Sequence, residues 1–184
     1  MNDFVDNLLS QKHKYVQMDD AVLKRIFEHI YLMEKKANIL VFGLGFDSIL
    51  YQTANEKGQT YFIEDDQFFI NINNNIKNKV LFEYKTSIKD SMNYTEEDLK
   101  KYTEPPLIRQ IEWDLIIIDG PCGYQEHHPG RSLPIYWSSL CKKATIYIDD
   151  SAREVENKFI KMFFSNTAKI DTIEKRGQTT IIYP

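Results

Sequence analysis

Three aspartates follow two β-rich runs of the chain, at positions where carboxylates could bind a cation or accept a proton. Asp119 follows the apolar run 115–118, and Asp149 and Asp150 follow the run 145–148. Open α/β sheets bind ligands just beyond the carboxyl ends of their strands. Carboxylates gathered there need a proton or a cation, which predicts a divalent-metal site or a general base for a hydroxyl group. Alternatively, one of the paired aspartates only caps the helix that follows.

A glycine turn after the first β-rich run is the second candidate for chemistry. The run 38–42 leads into Gly43-Leu44-Gly45-Phe46-Asp47-Ser48, a strand, turn and helix start in the order that a nucleotide-type ligand needs. Glu64 stands about 20 residues after the first glycine, where an acid can accept both ribose hydroxyls. The alternative is an ordinary strand-to-helix turn with a solvated acidic cap.

Ser48 bears on which nucleotide-type ligand the turn would take. It occupies the position where a dinucleotide-binding loop has its third glycine or alanine, which disfavours NAD. An adenosyl ligand without a pyrophosphate tolerates this residue, so the turn favours S-adenosylmethionine. The residues expected to bind this cofactor are Gly43, Leu44, Gly45, Asp47, Ser48, Glu64, Asp65, Thr86 and Asp119.

The loop 123–131 should face the substrate, because loops at strand ends carry specificity in α/β enzymes. Arg131 could bind a carboxylate through two parallel hydrogen bonds, or it could bond to loop carbonyls instead. Tyr124 and Tyr136 could lie against the face of a sugar. His127 could supply a base or a metal ligand, although adjacent histidines in a loop are more often solvated.

The elements that would position these groups follow from hydrophobic periodicity. Apolar residues at three- and four-residue spacing predict an amphipathic helix over 19–36. From residue 38 onward, β-rich runs alternate with helical stretches, which indicates parallel strands joined by crossover helices. The predicted strands are 38–42, 60–63, 79–84, 113–118 and 144–148, and the predicted helices are 47–57, 67–76, 132–142 and 152–165.

The C-terminal part of the chain predicts how the sheet closes. Runs 169–174 and 179–183 flank Gly177 and predict an antiparallel hairpin. The polar segment 87–110 is expected to mix a helix with an ordered loop that could lie over the pocket. The predicted fold is therefore α/β and Rossmann-like, with an N-terminal helix and a mostly parallel sheet closed by this hairpin.

Length and composition favour one globular domain over residues 1–184. The chain is 42% hydrophobic and 27% charged, with a formal net charge of −4. An N-terminal helical segment 1–37 would precede a core 38–184. The acidic balance disfavours nucleic acid and anionic membranes as partners, and no signal or membrane-spanning pattern occurs, so a cytoplasmic protein is expected. Cys122 and Cys141 predict free thiols.

Several blocks of residues occur in the order found in one methyltransferase family. They are Leu40-Val41-Phe42-Gly43-Leu44-Gly45-Phe46-Asp47-Ser48, Phe62-Ile63-Glu64-Asp65-Asp66, Trp113-Asp114-Leu115-Ile116-Ile117-Ile118-Asp119-Gly120-Pro121, Gly123-Tyr124, Pro129-Gly130-Arg131 with Ile135-Tyr136, and Asp150 with Arg153. Through these blocks the chain resembles the plant glucuronoxylan 4-O-methyltransferases and related polysaccharide-biosynthesis methyltransferases, from Gln17 to about Phe164.

The resemblance implies a class I methyltransferase fold, S-adenosylmethionine as cofactor and glucuronic acid or a similar sugar as the acceptor. It also leaves open a divalent metal bound by Asp119, Asp149 and Asp150. Asp119 and Asp150 are then the expected catalytic carboxylates. The chain departs from the family at Phe46 and Asp149, where histidine is common, and at Ser132, where methionine is usual.

Other functions remain compatible with the same residues. One keeps the fold and methylates another small molecule, because a fold does not determine the acceptor. Another is a non-catalytic module that binds a nucleotide. An NAD-dependent oxidoreductase is disfavoured by Ser48 and by the closing hairpin.

Overall fold

A computed structural model describes residues 1–33, 35–166 and 169–184 of the protein. Within these ranges, no helix is long and apolar enough to cross a membrane. The predicted helix 19–36 includes residue 34, which lies outside the described residues.

The described residues form a central seven-stranded sheet. Its strands are β1 (Asn38–Phe42), β2 (Gln59–Glu64), β3 (Asn78–Leu81), β4 (Leu115–Ile118), β5 (Thr145–Ile148), β6 (Ile170–Ile173) and β7 (Thr179–Ile182). They lie in the order β3-β2-β1-β4-β5-β7-β6. The first five strands pair in parallel, whereas β7 runs antiparallel to both β5 and β6. The predicted parallel sheet with a C-terminal hairpin is confirmed.

Helices cover both faces of this sheet. They are α1 (Asn2–Ser10), α2 (Asp20–Leu32), α3 (Ser48–Ala54), α4 (Gln67–Ile72), α5 (Ile88–Ser91), α6 (Glu96–Leu99), α7 (Leu107–Gln110), α8 (Ser132–Ser139) and α9 (Glu154–Phe164). Alternation along β1 sends Ile39 and Val41 into one core cluster and Leu40 and Phe42 into the other. The first cluster includes residues of α1 to α3, and the second includes residues of α8 and α9.

Local sequence explains where α4 begins and ends. Asp66 caps α4 by accepting a hydrogen bond from the Phe68 amide at 2.8 Å, as its sequence position suggests. The helix then ends at Ile72 and not at 76, because the asparagine run 73–75 has low helix propensity. The segment 87–110 contains three short helices, α5 to α7, in place of the single helix expected.

Candidate active site

The carboxyl ends of β1, β2 and β4 surround a cavity of about 500 Å³, a size typical of small-molecule sites. Parallel pairing of these strands brings their terminal loops to one edge of the sheet. The predicted cofactor-binding residues that line the cavity are Gly43, Leu44, Gly45, Asp47, Glu64, Asp65 and Asp119. The lining also includes Tyr51, Gln67 and Phe69, which sequence reasoning did not single out.

The glycine turn packs directly against the turn that follows β4. Gly43 has φ +109°, a conformation that side chains rarely adopt. A Cβ on Gly120 would lie 2.8 Å from the Cα of Gly43, so the two backbones touch and neither position accommodates a side chain. This contact brings Asp119 beside the glycine turn.

Two predicted cofactor-binding residues lie outside the cavity lining. Ser48 is buried, and its hydroxyl accepts a hydrogen bond from the Gly45 amide at 2.9 Å, which shapes the turn from within. The hydroxyl of Thr86 donates to the Pro129 carbonyl at 3.0 Å and ties the chain after β3 to the loop 123–131. Both side chains therefore have a structural role.

The buried carboxylate of Glu64 accepts hydrogen bonds from three backbone amides. One carboxylate oxygen accepts from Leu44 at 2.6 Å, and the other accepts from Asp65 at 2.9 Å and Asp66 at 2.8 Å. Burial raises the pKa of Glu64 to about 7, against the lowering effect of these hydrogen bonds. The acid that was expected to bind ribose thus also holds the glycine turn to the end of β2.

Two acidic side chains, Asp47 and Asp119, line the cavity. Burial raises the pKa of Asp47, whose carboxylate accepts from the Tyr51 hydroxyl at 3.3 Å. Desolvation likewise raises the pKa of Asp119 well above its ordinary value, opposed by the nearby guanidinium of Arg131. A cavity with these carboxylates favours a positively charged ligand.

Arg131 lies next to Asp119 but outside the cavity lining, and it is only 3% exposed. Its Nη2 atom donates to the Asp119 carbonyl at 2.6 Å, and it lies 3.2 Å from a carboxylate oxygen of Asp119 and 3.1 Å from one of Asp150. Its Nη1 atom donates to the Asp149 carbonyl. These contacts match the alternative in which Arg131 bonds to backbone carbonyls, and its binding of a substrate carboxylate stays a prediction.

The carboxylates of Asp149 and Asp150, which follow β5, contact other side chains of the protein. Asp149 accepts from the Thr179 hydroxyl at 2.7 Å, and Asp150 pairs with Arg153 at 2.6 Å. Neither aspartate caps α9, whose cap position is Arg153. Within the described ranges, no group of three or more His, Cys, Asp or Glu side chains is arranged to hold a metal ion. Of the three residues predicted to bind a metal, Asp119 and Asp150 pair with arginines and Asp149 bonds to Thr179, so they do not fit that role in this conformation.

The aromatic residues that were predicted to bind the acceptor lie in two different environments. Tyr124 is 69% exposed and lines the cavity together with His128, with the two ring centroids 4.4 Å apart. His127 lies next to His128 but outside the cavity lining. Tyr136 is buried in α8 against Phe163 and outside the cavity lining, and its predicted contact with a sugar stays a prediction. Of the two tyrosines, Tyr124 is the one that lines the cavity.

Comparison with known families gives one match that covers most of the chain. The model of the family described as IRX15/IRX15L/GXM matches residues 23–106 and 86–178. Among relatives from Arabidopsis thaliana, glucuronoxylan 4-O-methyltransferase 3 is 32% identical over 160 residues, which cover 72% of this chain and 54% of that protein. Arabinogalactan O-methyltransferase 2 is 27% identical, with 74% of this chain and 57% of that protein covered. The chain therefore spans a little over half the length of these relatives.

Solved structures with much lower identity share the architecture. Precorrin-6y C5,15-methyltransferase from Geobacter metallireducens GS-15 aligns with a TM-score of 0.57 at 12% identity and covers 93% of this chain and 90% of its own. The SAH-bound Podospora anserina methyltransferase PaMTH1 aligns with a TM-score of 0.55 at 13% identity and covers 100% of this chain and 89% of its own. These similarities confirm the class I methyltransferase fold.

Proposed function

Because the chain belongs to the IRX15/IRX15L/GXM family, we propose that it transfers a methyl group from S-adenosylmethionine to a hydroxyl group of a sugar. The observation that carries the proposal is the acidic cavity beside the Gly43 turn, at the carboxyl edge of a class I methyltransferase sheet. Relatives named as glucuronoxylan and arabinogalactan O-methyltransferases favour a glycan acceptor.

The charge of the cavity suits this cofactor. S-adenosylmethionine carries a sulfonium and an ammonium group against a single carboxylate. Asp47 and Asp119 both line the cavity, and Asp47 would bind the ammonium group. Glycine at positions 43 and 120 leaves the backbone open to a close approach by the ligand.

The ribose would be held by two neighbouring acids. A carboxylate has about four acceptor sites, and backbone amides take three of those on Glu64. One site remains for a ribose hydroxyl, so the second hydroxyl needs another acceptor. Asp65 lines the cavity next to Glu64 and would supply it.

Asp119 is the proposed proton acceptor. The bound cofactor supplies an electrophilic methyl group, and its transfer forms a carbon–oxygen bond, breaks the carbon–sulfur bond and releases the hydroxyl proton. A carboxylate whose pKa burial raises well above its ordinary value is a stronger base for such a proton. Asp150 is absent from the cavity lining and reaches Asp119 only through Arg131, so it would act by positioning.

No metal enters the proposed mechanism. Arg131 already lies 3.2 Å from Asp119 and 3.1 Å from Asp150 and supplies positive charge where a divalent ion was expected. This guanidinium holds the Asp119 carboxylate in one orientation.

Calorimetry with S-adenosylmethionine tests cofactor binding, and detection of S-adenosylhomocysteine tests methyl transfer. The acceptor panel contains a xylo-oligosaccharide that bears glucuronic acid, an arabinogalactan oligosaccharide, free glucuronic acid and catechol. We expect binding, with product formed on one of the oligosaccharides. Turnover on catechol alone would favour a small-molecule methyltransferase, binding without any turnover would favour a non-catalytic module, and no binding would refute the proposal.

A further inference from the structure

Five aromatic rings form a continuous surface at the rim of the cavity. This aromatic ribbon consists of His13, Tyr15, Phe46, Phe68 and Phe69. The rings of His13 and Phe46 stack with centroids 5.0 Å apart, and Phe46 contacts Phe69 at 6.1 Å. Phe69 lines the cavity itself, so the ribbon leads from the cavity to the outer surface.

The ends of the ribbon are open to solvent. Tyr15 is 57% exposed, and Phe68 is 58% exposed. Exposed rings that are contiguous with a cavity mark an interaction surface more often than isolated ones do. Aromatic rings of this kind match the apolar C–H face of a pyranose ring, which offers hydroxyl groups only at its edge.

The segment before α2 is held so that two of these rings face the glycine turn. Lys12 donates to the Met18 carbonyl at 2.8 Å and pairs with Asp20 at 2.5 Å. The Val16 amide donates to the His13 carbonyl at 3.0 Å, which closes a turn around Tyr15. The Tyr15 amide also donates to Nδ1 of the His13 ring at 3.3 Å, so hydrogen bonds of the backbone, of Lys12 and of the His13 ring hold this segment.

A cation lies on this surface. The Nζ atom of Lys14 is 4.9 Å from the centroid of the Tyr15 ring. In the part of the chain that the structure describes, Lys14 forms no ion pair. The deep cavity, in contrast, is lined by carboxylates. This separation of charge places an anionic group of a ligand at the ribbon and a cationic one in the cavity.

We infer that the aromatic ribbon and Lys14 bind an acidic glycan, with sugar rings lying on the aromatic side chains and a uronate carboxylate facing the Lys14 ammonium. The inference rests on the proposed function, because it assigns the acceptor side of the same site. It also supplies a cation for the uronate in place of Arg131, which is buried.

Direct binding tests the ribbon without requiring turnover. The probe is a xylo-oligosaccharide bearing one glucuronic acid, titrated by NMR or calorimetry into cofactor-free protein. The double variant Tyr15→Ala with Phe68→Ala should weaken binding at least fivefold. The matched control is Tyr31→Ala, which removes an exposed ring from α2 outside the ribbon. No binding by the unaltered protein, or equal weakening by the control, would overturn the inference.

A second pair of variants tests the role of the positive charge on Lys14. Lys14→Gln should weaken binding of the acidic probe severalfold and leave a neutral probe, with the carboxylate reduced to an alcohol, unaffected. Lys24→Gln on α2 is the control, since Lys24 is also exposed. Equal affinity of the Lys14 variant and the unaltered protein for the acidic probe would contradict the assignment.

Failure of the inference and failure of the proposed function give different results. Ribbon-dependent binding of the probe without methyl transfer would support the inference and refute only the function. Methylation of the probe with an unchanged KM in the double variant would refute only the inference. The ribbon could instead join two copies of the chain. Sedimentation would then show a dimer of the unaltered protein and a monomer of the double variant, and this result would also overturn the inference.

Discussion

Arg131 contacts Asp119 twice, through the backbone carbonyl at 2.6 Å and through the carboxylate at 3.2 Å. The same nitrogen reaches the carboxylate of Asp150 at 3.1 Å. One buried guanidinium thus connects the ends of β4 and β5 and orients the proposed proton acceptor. This relationship makes Arg131 important for both stability and chemistry.

Removal of this guanidinium should destabilise the protein. Arg131→Met leaves the partly buried carboxylate of Asp119 without its guanidinium partner, whereas Asp150 keeps Arg153, and should lower the free energy of unfolding by about 2 kcal/mol or more. Denaturant unfolding measures the change. Arg109→Met, which removes an exposed arginine paired with Glu104, should have no resolvable effect. Equal stability of the two variants would show that Arg131 does not support the fold.

Replacement of the buried acid at the end of β2 should weaken cofactor binding. Glu64→Gln has one acceptor oxygen for three backbone amides, so the glycine turn loses charge-assisted hydrogen bonds. We expect the Kd for S-adenosylmethionine to rise about tenfold or more, measured by calorimetry. Glu83→Gln, at an exposed ion pair, is the control. An unchanged Kd in the Glu64 variant would argue against this role.

Stability should depend on pH through the same carboxyl group. The pKa of Glu64 is about 7 in the folded protein, above its ordinary value of 4.5, so the folded state binds more protons between these values. The contribution of Glu64 is fully present below about pH 4.5 and is lost as the pH rises through about 7. Its slope cannot exceed about 1.4 kcal/mol per pH unit.

The measurement is the free energy of unfolding at several values between pH 4.5 and 7, in the unaltered protein and in Glu64→Gln. Other buried carboxyls contribute a slope of the same sign, because burial also raises the pKa of Asp47 and of Asp119. The difference between the two proteins isolates Glu64. If the free energy of unfolding changes with pH by the same amount in both proteins, Glu64 does not titrate in this range.

Asp119→Asn should abolish methyl transfer and change the Kd for S-adenosylmethionine by no more than severalfold, because the amide cannot accept the hydroxyl proton. Product formation and calorimetry together measure the two effects. Asp114→Asn alters the opposite end of the same strand, where Asp114 accepts from the Asn38 amide, and should keep turnover. An active Asp119→Asn protein would refute the role.

The main elements of the fold could be predicted because their signals are local. The run 38–42 with its glycine turn, and the alternation of strands and helices that follows, depend on residues close together in the chain. α8 shows the limit of such signals. Every residue from Ser132 to Ser139 is buried, so no amphipathic pattern indicates that Tyr136 lies in the core and not at the site.

The sequence by itself determined the parallel sheet, its closing hairpin and the set of acids at the strand ends, since each follows from residue type and short-range spacing. Only the tertiary structure decided what those acids contact. Arg131 stands between β4 and β5 in the chain, 12 residues from Asp119 and 19 from Asp150, and its side chain binds both only because β4 and β5 are neighbours in the sheet. A long side chain has many rotamers, and packing selects the one that satisfies buried charge.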